Sequence, residues 1–89
     1  MTIFEQIRTI SNPVRFEILQ VLKQNGGPMQ AGDISGLISH DVSVPMVSQH
    51  LSKLRLNKLI LKETLRGRPQ YRLNKDAVTS VLRRLEALG

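Results

Sequence analysis

One short segment of the chain carries the side chains best suited to contact nucleic-acid bases. Within residues 43–60, the spacing of Val47, Leu51 and Leu54 predicts a helix with one apolar face. The polar amide of Gln49 falls opposite that face, and an amide pairs well with the adenine edge in a DNA major groove. We expect DNA contacts from this helix through the following side chains: Met46, Ser48, Gln49, Ser52 and Lys53. A solvated surface face is the alternative interpretation.

The basic charge of the chain is concentrated around the end of that segment and just after it. The chain has 13 Lys and Arg residues against 7 Asp and Glu residues, a formal net charge of +6. Most of the surplus lies in residues 53–72, where Glu63 is the only acid. Such an uneven charge is typical of a protein that binds a polyanion. An acidic membrane surface is a weaker alternative, because neither a basic amphipathic helix nor a lipidation signal accompanies the charge.

A change from helical to alternating periodicity follows the predicted helix. Apolar and polar residues alternate over 59–65 and again over 70–73, with the glycine-containing turn 66–69 between them. This pattern predicts a β-hairpin with a cationic tip. We expect Arg66 and Arg68 to contact DNA phosphates or the minor groove. A solvated loop is the alternative.

The remaining elements must position the helix and the hairpin. Helical patterns cover residues 2–10, 13–25 and 31–38, and the second of these predicts a buried central helix. Side chains that cap helix N-termini precede the second, fourth and last helices, and these are Asn12, Ser43 and Asn74. Ser43 thereby starts the expected DNA-contacting helix, and we include it among the residues that face DNA.

The first and last helices carry apolar stripes that a small chain has little core to cover. The residues of these stripes are Ile3, Phe4, Ile7, Val78, Val81, Leu82 and Leu85. Aromatic residues make up only 3% of the 89 residues, so the core depends on Leu, Ile and Val. We therefore expect a symmetric homodimer in which residues 2–10 and 74–88 exclude water.

Several function classes lack their required residues. The chain has no cysteine, which excludes disulfides and thiolate metal sites. It has no nucleophile–base motif, no paired carboxylate motif and no phosphate-binding glycine loop, so we expect neither an enzyme nor a cofactor. No apolar run is long enough to span a membrane, and no signal peptide precedes the first helix, so we expect a cytoplasmic protein.

The predicted order of elements is that of a winged helix-turn-helix, an α+β fold that is mostly helical. Four helices are followed by a β-hairpin wing and a C-terminal helix, in a single domain over residues 1–89. Three segments, Ile10–Leu19, Val47–Arg55 and Gly67–Leu73, resemble the ArsR/SmtB family of bacterial and archaeal repressors. The resemblance implies dimeric DNA binding, transcriptional repression and a dimer interface formed by the first and last helices.

The departures from that family concern its metal sensors. Many members bind metal through a Cys-x-Cys segment or through Asp and His pairs on the last helix, and this chain has neither. We therefore expect a member that does not sense metal, with an unknown regulatory protein or small molecule as a further partner. The resemblance implies a DNA-phosphate contact or a packing role for His50. We expect His40 to be a plain turn residue.

Two other binding functions remain as alternatives. A winged-helix protein–protein interaction module is the main one, although such a module has no need for the basic surplus of residues 53–72. RNA binding is the weaker one, because Tyr71 is the only tyrosine and is expected to be buried.

Overall fold

The computed structural model describes residues 1–89 and contains five helices and one two-stranded antiparallel sheet. The elements in chain order are α1 (Ile3–Ile10), α2 (Pro13–Asn25), α3 (Ala31–Leu37), α4 (Val44–Leu56), β1 (Ile60–Leu65), β2 (Arg68–Leu73) and α5 (Lys75–Glu86). This arrangement confirms the predicted winged helix-turn-helix. The predicted element boundaries agree with the observed ones to within about two residues.

Side-chain caps fix the starts of the helices as the sequence predicts. The Asn12 side-chain oxygen accepts hydrogen bonds from the backbone N–H groups of Val14 at 2.9 Å and Arg15 at 3.1 Å. Ser43 caps α4 and Asn74 caps α5 in the same way, each at 3.3 Å. These bonds satisfy amides that have no partner inside their own helix, so they set where each helix begins.

The core lies between α2, α3, α4, the base of the hairpin and α5. Its fourteen buried apolar side chains are Ile18, Leu19, Val21, Leu22, Met29, Ile34, Ile38, Val47, Leu51, Leu54, Leu59, Ile60, Tyr71 and Val81. Burial of each aliphatic side chain stabilises the fold by roughly 1.5–3 kcal/mol relative to exposure. Helix α1 covers one side of this core through partly buried side chains, including Ile3 and Ile7.

Two apolar residues lie elsewhere than the sequence predicts. Phe16 is 49% exposed, so α2 is buried on one side only, along the row that contains Ile18 and Leu22. Val81 is 1% exposed and packs within the core of its own protomer. The prediction that Val81 forms part of a dimer interface is therefore wrong, because no surface of its side chain is free to meet a partner.

The hairpin turn is shorter than predicted. Leu65 pairs with Arg68, which leaves only Arg66 and Gly67 in the turn. Both residues have positive φ, 52° and 76°, as a two-residue type I′ turn requires. Pro69 consequently lies within β2 rather than in the turn.

The hairpin is also joined to the segment before α3. Met29 and Tyr71 exchange two backbone hydrogen bonds, of 2.9 Å and 2.8 Å. Both side chains are buried, and the sequence predicts this for Tyr71. This bridge fixes the base of the wing against the helical part of the fold.

No helix in the structure is long and apolar enough to cross a membrane.

Candidate nucleic-acid interface

The orientation of α4 is fixed by its buried side. Val47, Leu51 and Leu54 are each 0% exposed, so the helix cannot rotate about its axis without uncovering them. Their burial turns Gln49 and Lys53 toward solvent. The other predicted contact residues on this helix are solvent-exposed Met46 and Ser52 and half-buried Ser48.

Ser43 has a structural task at the start of α4. Its hydroxyl oxygen accepts the N–H of Met46 at 3.3 Å. The residue is exposed, and its hydroxyl proton is not used in that bond. Ser43 can therefore cap the helix and still donate a hydrogen bond to an acceptor such as a phosphate oxygen.

His50 faces the interior side of α4 instead of its outward face. The imidazole Nδ1 lies 3.2 Å from the Arg15 guanidinium of α2. Burial, followed by the positive charges of Arg15 and Lys53, lowers the pKa of His50 below its ordinary value. The ring is therefore neutral at pH 7, and its Nδ1 accepts a hydrogen bond from the Arg15 guanidinium. This arrangement gives His50 a packing role between α2 and α4, and the DNA-phosphate contact stays a prediction.

Arg15 connects three helices and was not found by sequence reasoning. Its Nε donates a hydrogen bond of 2.7 Å to the carbonyl oxygen of Thr9, near the end of α1. The same guanidinium contacts His50 in the middle of α4. The signals in the sequence are that an arginine stands between the apolar residues Val14 and Phe16 and that it lies in the segment Ile10–Leu19, which resembles the ArsR/SmtB family. Its partners are distant in the chain, so the network becomes visible only in the fold.

Glu17 of α2 holds the turn between α3 and α4. Its carboxylate accepts the N–H of Ser39 at 3.0 Å and the hydroxyl of Ser39 at 2.7 Å. The His40 Nδ1 lies 2.8 Å from the same carboxylate. These hydrogen bonds, that of His40 first, lower the pKa of Glu17 to about 2. The expectation that His40 is a plain turn residue is therefore wrong, because its ring joins the turn to α2.

A groove rich in hydrogen-bond donors lies beside the wing tip. Its volume is about 420 Å³ and its lining residues are Gln30, Leu65, Arg66, Arg68 and Gln70. The lining provides two guanidinium groups and two amides but no carboxylate. Arg66 and Arg68 are both exposed, as predicted. Guanidinium groups bind phosphate oxygens through paired hydrogen bonds, so this lining suits a nucleic-acid backbone.

Almost all of the basic side chains lack an acidic partner. Arg72 is the only Lys or Arg with a carboxylate within ion-pair distance, at 3.4 Å from Glu63. The remaining cations keep their charge unneutralised by the protein itself. A surface of this kind attracts an extended polyanion and releases counterions when it binds.

The sequence also matches a known family over the segment that contains α4 and ends before the wing tip. Residues 12–60, more than half of the chain, match the bacterial regulatory proteins of the arsR family. The chain belongs to this arsR family. Its members are transcriptional regulators, and this protein is accordingly a DNA-binding transcriptional regulator. No curated protein matches the chain significantly.

Several solved structures share the fold of this chain. An ArsR-like transcriptional regulator from Rhodococcus sp. RHA1 aligns over 98% of this chain and 78% of its own, with a TM-score of 0.81 and 22% identity. NolR from Sinorhizobium fredii aligns over 94% and 80%, with a TM-score of 0.74 and 27% identity. The transcriptional repressor BigR from Xylella fastidiosa aligns over 85% and 72%, with a TM-score of 0.71 and 26% identity.

A second surface of this arsR-family protein is apolar. On α1 Phe4 is 72% exposed, and on α5 Leu82 and Leu85 are 50% and 40% exposed. Helices α1 and α5 contact each other within the protomer. The neighbouring predicted interface residues Ile3, Ile7 and Val78 are half-buried and pack against the core. Exposed apolar side chains are therefore present on both of the helices that the sequence assigns to a dimer interface.

The titratable side chains do not form a cluster that resembles a metal site. No group of three or more His, Asp or Glu residues is placed to share one ion. The nearest such arrangement is the pair of Glu17 and His40, whose polar atoms already bond to each other and to the α3–α4 turn.

Proposed function

We propose that this protein is a homodimeric transcriptional repressor that binds an inverted-repeat operator. Helix α4 of each protomer enters a major groove, and the two half-site centres lie about one helical turn, roughly 34 Å, apart. The wing residues Arg66 and Arg68 contact the phosphate backbone or the minor groove beside each half-site. The bound dimer then occupies DNA that the transcription machinery needs.

The observation that carries this proposal is the division of α4 into two faces. Its buried face consists of Val47, Leu51 and Leu54, whose side chains are completely enclosed by the core. Its outward face has no acid and keeps its hydrogen-bonding side chains free, since neither Gln49 nor Lys53 has a side-chain hydrogen bond within the protein. A rigid helix with unsatisfied polar groups on a cationic surface is well suited to contact base edges.

Each predicted contact residue has a separate role in this proposal. Gln49 pairs with an adenine edge, and Lys53 neutralises a phosphate. The hydroxyls of Ser43, Ser48 and Ser52 donate to phosphates or bases within reach. The exposed Met46 side chain provides an apolar contact for a thymine methyl group.

The apolar surface of α1 and α5 supports the homodimer. In a two-fold symmetric pair, Phe4, Leu82 and Leu85 of one protomer meet the same surface of the other, and each apolar contact is made twice. Removing these side chains from water gives a free-energy gain proportional to the apolar area buried. The two-fold axis of the dimer also explains why an operator with inverted half-sites would fit.

The decisive experiment selects DNA with the purified protein. Random duplexes bound by the protein are enriched and sequenced, and we expect an inverted repeat with a fixed half-site spacing. The selected duplex is then placed across a promoter in a purified transcription reaction, where added protein should lower the transcript yield. Enrichment of no sequence, or of a single half-site only, would contradict the proposed dimeric operator binding.

Sedimentation tests the oligomeric state independently of DNA. The 10.0 kDa chain should sediment as a dimer at micromolar concentration. A monomer under these conditions would remove the homodimer from the proposal and leave DNA binding to be judged on the selection experiment.

A further inference from the structure

Helix α4 is joined to α1 through a chain of two side chains. The Thr9 carbonyl of α1 accepts from Arg15 Nε at 2.7 Å, and the Arg15 guanidinium contacts His50 Nδ1 at 3.2 Å. A separate bond of 3.1 Å runs from the side chain of Gln6 to the carbonyl of Asn57, directly after α4. Helix α1 therefore holds α4 both near its middle and at its end.

The contact between Arg15 and His50 requires a neutral imidazole. A guanidinium can only donate hydrogen bonds, so Nδ1 must accept and the ring proton must reside on Nε2. If Nδ1 is protonated, two N–H donors and two positive charges face each other at this distance. The favourable contact then becomes repulsive.

No negatively charged group near His50 would offset the positive charge that protonation adds to the ring. Helices α1, α2 and α3 and strand β1 pack against α4. The charged groups that act on the ring are Arg15 of α2 and Lys53 of α4 itself, and both are positive. Helix α1 contributes the Thr9 carbonyl, which is occupied by Arg15. No carboxylate lies within ion-pair distance of either His50 or Arg15.

His50 lies at a position on α4 where a small displacement of the helix would change the contact between Gln49 and a base. It is adjacent in sequence to Gln49 on the outward face and to the fully buried Leu51. Repulsion between Arg15 and a protonated ring pushes this part of α4 away from α2. The amide of Gln49 moves with the helix backbone, and hydrogen bonds to base edges tolerate little displacement.

We propose that Arg15 and His50 are a positioning pair that holds α4 ready for base contact only while the His50 imidazole is neutral. This inference rests on the proposed DNA-binding function and adds to it a dependence of operator affinity on pH. Neither side chain contacts DNA in this scheme. A direct contact between protonated His50 and a phosphate would have the opposite effect, because acid would then strengthen binding.

The test measures the affinity for the selected duplex, and for a scrambled duplex of the same composition, from pH 5 to pH 8 at constant ionic strength. We expect the association constant of the selected duplex to fall with acid below the pKa of His50, approaching tenfold per pH unit for each of the two His50 side chains in the dimer. The scrambled duplex should show a much smaller fall, since backbone contacts do not depend on the position of Gln49. The variant His50→Gln keeps an acceptor for Arg15 and should bind with little dependence on pH.

The matched control is His40→Gln, which removes the only other histidine and should keep the pH dependence of the unaltered protein. An affinity that is constant or rises toward pH 5 in the unaltered protein would overturn the inference while leaving the proposed function intact. Absence of binding to any duplex at any pH would instead overturn the proposed function.

A measurement without DNA tests the pair itself. Nuclear magnetic resonance of the imidazole protons in the free protein should give His50 a pKa below 6.5. The variant Arg15→Gln, which removes the neighbouring cation but can still donate a hydrogen bond, should raise that pKa. An unchanged pKa in a folded Arg15→Gln variant would show that the pair does not control the protonation of the ring.

Discussion

The Nδ1 of His40 donates a hydrogen bond to the Glu17 carboxylate across 2.8 Å, and this contact joins the turn before α4 to α2. Ser39 adds two more donors to the same carboxylate. The two segments are more than twenty residues apart in the chain. The position at which α4 begins is therefore set from one side by its Ser43 cap and from the other by Glu17 of α2.

This relationship predicts a loss of stability in acid. The pKa of Glu17 is about 2 in the folded protein and near 4.5 without its partners, so the unfolded chain binds the proton more readily. The stabilisation is therefore fully present above pH 4.5 and is lost as the pH falls toward 2. Thermal unfolding between pH 2 and pH 6 should show a steeper loss for the unaltered protein than for Glu17→Gln. Parallel curves would show that Glu17 does not contribute to the acid dependence.

A substitution at Arg66 in the wing turn should change stability and DNA binding in opposite directions. Arg66 has φ of 52°, a left-handed conformation that costs a residue other than glycine roughly 1–2 kcal/mol, and asparagine tolerates it better. Arg66→Asn should therefore raise the free energy of unfolding by about 0.5–1 kcal/mol while weakening DNA binding and flattening its salt dependence. Arg68→Asn is the matched control, since it also removes a wing cation but lies in β2 and should give no gain in stability.

The outward face of α4 predicts sequence-specific contact through Gln49. Gln49→Ala should cost on the order of 1–3 kcal/mol at the selected operator and little on scrambled DNA. Lys53→Ala provides the comparison, because loss of a phosphate contact weakens binding to both duplexes and reduces the salt slope by about one. An equal loss on both duplexes for Gln49→Ala would show that this side chain contacts the backbone.

Because the exposed surface of α5 is apolar, charged side chains introduced there should separate the two protomers. The double variant Leu82→Asp with Leu85→Asp should sediment as a folded monomer, because both side chains are substantially exposed in the protomer. Thr79→Asp with Ser80→Asp adds the same charge at exposed polar positions of the helix and should remain dimeric. A double leucine variant that stays dimeric and folded would place the interface elsewhere.

The end of α4 predicts a stabilising substitution. Lys58 follows the helix with φ of 59°, the left-handed conformation in which helices commonly end on glycine. Lys58→Gly should raise the free energy of unfolding by about 1 kcal/mol, as measured by chemical denaturation. Lys58→Ala removes the same charge but keeps the strained backbone, so an equal gain in this variant would attribute the effect to charge.

The local features of this protein could be predicted from its sequence. Periodic apolar residues predicted the helices and strands, and Asn12, Ser43 and Asn74 predicted where three helices begin. The outward position of Gln49 followed from the same periodicity, since Val47, Leu51 and Leu54 had to be buried together. These features depend on interactions between residues a few positions apart, which the order of residues specifies directly.

Only the tertiary structure decided which partners the remaining side chains meet. Val81 belongs to an apolar stripe in the sequence, yet the packing of α5 places it in the core and leaves Leu82 and Leu85 exposed. The pairing of Arg15 with His50 joins side chains thirty-five positions apart in the chain. Such contacts depend on the relative placement of whole helices. That placement results from burial of the entire core, and no local pattern of residues encodes it.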